Sequence, residues 1–187
     1  STVLIFTPFA MKATLPYLFS ALPVEKKWTI RTLALKCIAL FNKTAPKQLG
    51  NALPEIVPEV SACMWDTKKQ VKAAATDAMK SACDVIGNKD IEHMTDEIII
   101  AITKPKEVPE IMHKMAGVTF VQSVESPALA MVVPLLLRGL KEKATATKRQ
   151  SAVIIDNMSK LVDNPIDAAP FLPLLLPALE TNAESIS

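Results

Sequence analysis

An eight-residue motif, apolar at most positions, occurs five times along the chain. Its copies span 15–22, 53–60, 95–102, 133–140 and 172–179, so successive copies begin 38, 42, 38 and 39 residues apart. Such a period is typical of solenoid repeats that each contain two helices, and it differs from the patterns of globular enzymes. The spacing therefore predicts an all-α solenoid of about four to five helix pairs.

Each copy of the motif is predicted to lie in the first helix of a pair. Proline fits the first turn of a helix or a bend inside one, so we expect kinked first helices. In the fourth copy, Ser126-Pro127 is the expected helix start, which leaves Pro134 inside the helix. The second residue of the motif is proline in four copies and the seventh is small in four: Pro16, Pro54, Pro134 and Pro173, and Ala21, Ala101, Gly139 and Ala178.

A second helix is predicted after the polar turn that follows each of the first four copies. The apolar periodicity places these helices at 27–41, 68–86, 109–124 and 147–162. In the second of them, apolar residues recur at spacings of three and four from Val71 onward, which defines one buried stripe. Because a helix pair cannot cover its own apolar face, we expect stacked pairs to bury these stripes in a continuous core.

The chain is 50% hydrophobic, yet no part of it is predicted to cross a membrane. The apolar run 171–179 has nine residues and contains two prolines, whereas a membrane span needs about 20 residues. We interpret 1–187 as one soluble repeat domain and as a monomeric fragment of a larger protein. In this interpretation, residues 1–9 end a helix whose partner is missing, and 181–187 stop where another helix is due.

The three cysteines predict no covalent or metal framework. Cys37, Cys63 and Cys83 lie 26 and 20 residues apart, all in predicted helices. An odd number without a CxxC pair argues against both disulfides and a zinc site. We expect reduced, mostly buried thiols in a cytosolic protein.

The basic residues are unevenly distributed, although the net charge is only +2. The windows 26–31, 68–72, 104–106 and 141–149 contain 12 of the 21 basic residues and one acid, so they carry +11 and the rest of the chain carries −9. Each window lies between the two helices of a pair, and stacking would place all four along one edge, here called the basic ridge. Its members are Lys26, Lys27, Arg31, Lys68, Lys69, Lys72, Lys104, Lys106, Lys141, Lys143, Lys148 and Arg149.

The basic ridge has two interpretations. A basic stripe along a solenoid can follow phosphates, and several members lie at starts of second helices, where the helix dipole disfavours cations by about a few tenths of a kcal/mol. Alternatively, these side chains only solvate the turns or pair with acids of the next repeat. Trp28 and Trp65 lie beside two of the basic windows and are candidates for base stacking. For Trp28, however, we expect packing in the core.

No pattern in the sequence supports catalysis, a cofactor or a metal. Neither GxxxxGK[ST] nor GxGxxG occurs, so the chain lacks these phosphate-binding loops. His93 and His113 lie 20 residues apart in different predicted helices, and we expect a surface position for His93 and a helix flank for His113. Asp96 and Glu97 fit the first turn of a helix, where carboxylates suit the dipole.

Four segments resemble the HEAT-repeat region of fungal-type translation elongation factor 3. They are 64–76 (MWDTKKQVKAAAT), 88–92 (NKDIE), 132–140 (VVPLLLRGL) and 148–158 (KRQSAVIIDNM). The resemblance runs in order from about residue 10 to the end. It departs from the family's pattern at residues 1–9 and at Ser159, where we expect Cys.

The resemblance implies a right-handed superhelix of HEAT repeats in a cytoplasmic ATPase of translation elongation. In that family, the solenoid docks on the ribosome, and ATP hydrolysis by two cassettes absent from this chain helps to release tRNA from the exit site. The implied partners are ribosomal RNA, ribosomal proteins and other translation factors. ATP is the cofactor of the full-length protein, and none is expected in the fragment.

Two alternatives remain beside this function. One is a protein–protein scaffold that binds peptides on the opposite, concave surface. The other is the ribosome-binding activator of the amino-acid-starvation kinase, which shares the helix with the IIDNM-like string. Within the basic ridge, we expect phosphate contacts first from Lys68, Lys69, Lys72, Lys148 and Arg149. Asp66 is predicted to be a helix N-cap, and Asp156-Asn157 an inter-repeat hydrogen-bonding pair.

Overall fold

The structure, a computed structural model, describes residues 8–184, with side chains from residue 10 onward. Residues 1–7 and 185–187, on which part of our interpretation of the two ends rests, lie outside the described residues. Residues 8–184 form α-helices and one short 3₁₀ helix (Pro105–Glu107), and contain no strand. The α-helices are α1 Pro8–Ser20, α2 Trp28–Thr44, α3 Pro46–Cys63, α4 Lys69–Cys83, α5 Lys89–Glu92, α6 Thr95–Thr103, α7 Val108–Ala116, α8 Ser126–Leu140, α9 Thr145–Ser159, α10 Pro165–Ala168 and α11 Leu172–Glu184.

The five copies of the motif lie in the first helices, as predicted. They fall in α1, α3, α6, α8 and α11, and only the last two residues of the first copy extend beyond a helix end. Helix α8 begins at Ser126, and Pro134 lies inside it; Pro16 and Pro54 are likewise inside α1 and α3. Asp96 and Glu97 occupy the first turn of α6. The prediction of paired helices is therefore confirmed.

The second helices α2, α4, α7 and α9 match their predicted positions, but α7 is shorter than expected. The prediction extended it to 124, whereas it ends at Ala116. Residues after Gly117 leave the helix because their backbone groups bond to a side chain of the short helix α5. Val121 and Gln122 each donate a backbone N–H to an Asp90 carboxylate oxygen at 2.8 Å. The apolar periodicity of 109–124 could not indicate that Asp90, about 30 residues earlier, would accept these hydrogen bonds.

The described residues divide into two compact units, whose boundary lies between Ile86 and Gly87. In the first unit, α2 and α4 pack in parallel. Near their carboxyl ends, Ser81 donates to the Ala39 carbonyl at 2.8 Å, and Asn42 donates to Asp84 at 2.9 Å. Both bonds join residues 42 positions apart, so equivalent positions of consecutive second helices lie side by side. This is the registered stacking on which a solenoid core depends.

In the second unit, α8 is the central helix. It packs against α6, α7, α9, α10 and α11, and its residues from Pro127 to Val133 are all buried. A helix that is apolar all round is stable only when neighbours surround it. The seventh motif position explains one close approach: a Cβ added to Gly139 would lie 2.2 Å from the Ser151 hydroxyl and 3.2 Å from Met112. A small residue at this position therefore lets α8 approach α7 and α9.

A ladder of polar contacts holds the irregular segment 117–125 in place. Gln122 accepts the N–H of Lys89 at 2.8 Å and donates to the Gly87 carbonyl at 2.9 Å. On its other side, Ser123 donates to Asp163 at 2.6 Å. The turns that connect consecutive repeats are thus bonded to one another within this unit, which satisfies backbone groups that helix α7 would otherwise use.

Of the three cysteines, Cys63 and Cys83 are buried and Cys37 is half-buried. Burial raises the pKa of the Cys63 thiol, as it does for Cys37, which favours the unreactive protonated form. Among the described residues, no helix combines the length and apolar character that a bilayer crossing requires.

Gly139→Ala should destabilise the chain because its Cβ would overlap the fully buried Ser151 side chain. We expect a net loss of up to about 2 kcal/mol, since an overpacking cost of about 1–3 kcal/mol opposes a helix-propensity gain of about 1 kcal/mol. In a Ser151→Ala background, the same change should become neutral or stabilising. Urea denaturation of the four variants measures this, and equal effects in both backgrounds would contradict the packing explanation.

Asp90→Asn should weaken the ladder at neutral pH. The N–H groups of Gln122 and Val121 lower the pKa of the Asp90 carboxyl, so ionised Asp90 stabilises the fold above the unfolded pKa and loses this effect as pH falls through the folded value. We expect a loss of up to about 1 kcal/mol at pH 7, limited by solvent screening, and a smaller loss at pH 2. Urea denaturation at both pH values tests this, with Asp77→Asn on the exposed face of α4 as control. A loss that is independent of pH would contradict it.

Candidate nucleic-acid interface

The two basic turns of the first unit lie at the same end of that unit. Lys26 and Lys27 precede α2, whereas Lys68 precedes α4, and Lys69 and Lys72 lie in its first turn. All five side chains are exposed. Since α2 and α4 are parallel and in register, the turns that precede them are neighbours. Within this unit, the structure thus brings these five lysines to one edge.

A buried ion pair ties the two turns together. The Arg31 guanidinium of α2 contacts the Asp66 carboxylate of the turn before α4, and Arg31 is only 5% exposed. The Arg31 Nε also donates to the Leu22 carbonyl at 2.9 Å, in the turn between α1 and α2. One arginine therefore joins both turns. The positive charge of Arg31 and the negative charge of Asp66 neutralise each other in a site shielded from water.

This pair corrects two predictions. Arg31 is not a free member of the basic ridge, because it continues the buried stripe of α2, three residues before Ala34. Asp66 is not the N-cap of α4, because that position is occupied by Lys68. One Asp66 oxygen accepts the backbone N–H of Lys68 at 2.7 Å, and the other contacts Arg31. Its sequence neighbours indicated a local cap, but the long-range partner determines its burial.

A cleft of about 330 Å³ lies between the two turns. Both tryptophans near it are more exposed than a core residue: Trp65 is 51% exposed and lines the cleft, and Trp28 is 42% exposed. The expected core position of Trp28 is therefore wrong. As the first residue of α2, it lies at the end of the helix, where the neighbouring helices no longer cover it. The cleft is lined by Leu22, Pro23, Val24, Arg31, Glu59, Ala62, Cys63, Trp65, Asp66 and Thr67.

In the second unit, the two basic turns also share one end. Arg138 of α8 donates to the carbonyls of Ala101 at 2.8 Å and Ile102 at 3.3 Å, which places the carboxyl ends of α6 and α8 together. A cation suits this position because helix carboxyl ends carry partial negative charge. The segments that follow these helices contain four of the predicted cations, all exposed: Lys104, Lys106, Lys141 and Lys143. The other two lie near the start of α9, where Arg149 is exposed and Lys148 is half-buried.

None of the eleven remaining cations of the basic ridge forms a salt bridge with another described residue. The three ion pairs found within residues 10–184 are Arg31–Asp66, Lys114–Glu110 and Lys160–Asp156. Lys68 and Lys69 moreover lie at the start of α4, where the helix dipole opposes a positive charge. These side chains are thus not explained by pairing with neighbouring repeats. The alignment of all four turns along one ridge remains a prediction.

Other candidate residues have ordinary structural positions. His93 and His113 are exposed, and His113 is 3.0 Å from the Gln150 amide. Asp156 is exposed and pairs with Lys160 of its own helix at 2.6 Å, so its predicted inter-repeat role is wrong. In the part of the chain that is described, no three His, Cys, Asp or Glu residues are grouped as a metal site requires.

Comparison with known proteins identifies the repeat. A sequence model described as "EF3 N-terminal HEAT repeat" matches residues 1–79, and one described as "Elongation factor 3/GNC1 HEAT repeat" matches 107–187. The chain belongs to the elongation factor 3 family of HEAT-repeat proteins. Its all-α architecture of helix pairs is accordingly the α-solenoid that the period predicted.

Individual relatives agree with this family. The chain is 52% identical over 91% of its length to elongation factor 3 of Phytophthora infestans. It is 47% identical over 96% of its length to elongation factor 3A of Saccharomyces cerevisiae, and 44% identical over 97% to elongation factor 3 of Gonapodya prolifera. The chain covers only 16% to 17% of the length of these proteins. The chain is thus similar to one part of proteins named elongation factor 3, and both matched family models describe that part as HEAT repeats.

Asp66→Ala should be strongly destabilising, because it leaves the buried Arg31 charge without its carboxylate. Breaking a buried ion pair from one side costs about 3–5 kcal/mol, whereas replacing both partners by apolar residues is close to neutral. We therefore expect Arg31→Met/Asp66→Leu to be more stable than Asp66→Ala. Urea denaturation at pH 7 measures both, and a cost below about 1 kcal/mol for Asp66→Ala would contradict the proposed role of the pair.

Proposed function

We propose that this chain docks a translation elongation factor on the ribosome through the basic turns between its paired helices. The observation that carries the proposal is the pair of turns around Arg31 and Asp66, which present five exposed lysines without carboxylate partners among the described residues. Ribosomal RNA offers the phosphates that such an edge would bind, and ribosomal proteins are further partners. The lysines contact phosphates and do not read bases.

In the full-length protein, the docked arm serves the ATP-dependent release of tRNA from the exit site. ATP hydrolysis belongs to nucleotide-binding cassettes outside this chain, and both matched family models describe HEAT repeats. We expect no ATP turnover by residues 1–187 alone. The arm acts in the cytoplasm, where it meets ribosomes and other translation factors.

A protein–protein scaffold is the competing function, and it predicts a different response to salt. Binding through phosphates releases counterions, so affinity falls steeply with salt concentration. Binding of a peptide on the opposite surface depends far less on the lysines of the turns. Salt dependence combined with charge reversal therefore separates the two functions.

Lys68→Glu/Lys69→Glu should weaken co-sedimentation with Saccharomyces cerevisiae ribosomes. We expect a loss of about tenfold or more at about 0.1 M salt, and a slope of log affinity against log salt that is shallower by about 2, because two phosphate contacts are lost. The measurement is the bound fraction across a salt series.

The matched control is Lys43→Glu/Lys47→Glu. It makes the same charge change on exposed lysines at the other end of α2, near the start of α3. This control should lower affinity much less than the turn variant. Binding that responds equally to both changes, or to neither, would exclude docking through the turns.

A further inference from the structure

The cleft beside Trp65 combines features that phosphate contacts do not explain. Trp65 is 51% exposed and Val24, on the opposite turn, is 71% exposed. Both line a cleft of about 330 Å³, which is at the lower end of the size range of small-molecule sites. A large aromatic side chain held half in water at a basic edge is a surface that a flat partner can cover.

The charges of the lining exclude an anion from the cleft itself. Arg31 and Asp66 neutralise each other, and Glu59 adds an exposed carboxylate to the wall. A phosphate inside the cleft would be repelled by the Glu59 carboxylate, and no unpaired cation of the lining would offset this repulsion. A neutral planar group would not be repelled. The cations lie outside the cleft: Lys26 and Lys27 follow the Val24 turn, and Lys68 follows the Trp65 turn.

We propose that this cleft receives one unpaired RNA base, stacked on Trp65, while the flanking phosphates contact Lys26, Lys27 and Lys68. The proposal rests on the proposed function, because it takes the same edge to bind RNA. Aromatic side chains stack on bases of any sequence, and only unpaired bases can leave the helix to reach them. The cleft would therefore direct the arm to a loop or bulge of ribosomal RNA.

The basic rim favours RNA over a protein side chain as the occupant. An apolar side chain of a protein could also cover Trp65, but it would leave the unpaired lysines of the rim without partners. A nucleotide supplies both the planar group and the negative charges. The two basic turns of the second unit, 104–107 and 141–144, contain no aromatic residue, so there we expect phosphate contacts alone.

Trp65 can be observed directly, because the chain contains only two tryptophans. In a Trp28→Phe background, titration with a single-stranded RNA should quench Trp65 fluorescence, and a blunt RNA duplex of equal length should quench it much less. In a Trp65→Phe background, the remaining Trp28 serves as the control and should respond equally to both RNAs. Equal quenching of Trp65 by the two RNAs would overturn the proposal.

Trp65→Ala should lower affinity for the single-stranded RNA by about fivefold or more and leave duplex affinity within about twofold, because stacking is lost and phosphate contacts remain. Trp65→Phe should retain most of the single-strand affinity. The matched control, Lys141→Glu/Lys143→Glu, should weaken both RNAs by the same factor. Circular dichroism checks that Trp65→Ala is folded, as expected for an exposed turn residue.

Ribosome co-sedimentation separates failure of this proposal from failure of the proposed function. If Lys68→Glu/Lys69→Glu weakens ribosome binding but Trp65→Ala changes neither ribosome nor single-strand binding, the base site is wrong and docking through the turns stands. If Trp65→Ala weakens ribosome binding but not RNA binding, a protein occupies the cleft and the base site is again wrong. If the charge reversal has no effect on ribosome binding, the proposed function itself is wrong.

Discussion

The ion pair of Arg31 and Asp66 determines how the first unit presents its charges. It is buried, it joins the start of one second helix to the turn before the next, and it reaches the preceding turn through the Leu22 carbonyl. Burying two charges costs desolvation free energy, which their contact and hydrogen bonds must offset. Its principal effect is therefore geometric: three chain segments are held together beneath the exposed lysines.

In this arrangement the arginines stabilise the fold, whereas the lysines of the turns remain available to bind a partner. Arg31 and Arg138 both satisfy carbonyl oxygens of neighbouring elements, at Leu22 and at Ala101. Arginine suits such positions because its guanidinium offers several donors in a fixed plane. The lysines of the turns have no such partners among the described residues, and flexible ammonium groups in water are suited to an extended anionic partner.

In the second unit, different contacts hold the helices and their connecting turns together. Its central helix α8 is buried throughout 127–133, and Gly139 allows the approach of α7 and α9. The connecting turns bond to one another through Asp90, Gln122 and Ser123. A solenoid repeat depends on its neighbours for its core, and here its loops depend on them as well.

The period of the motif determined the helix pairs, their order and the α-solenoid class, because apolar faces that recur every 38 to 42 residues can be buried only by stacking. Local sequence also determined helix starts such as Ser126, where proline and a preceding polar residue fix the first turn. Tertiary structure alone decided that Arg31 is buried, that Trp28 is exposed and that α7 ends at Ala116. Each of these depends on a partner tens of residues away, Asp66 or Asp90, or on where a neighbouring helix stops covering a side chain. Periodicity within one segment carries no information about such contacts.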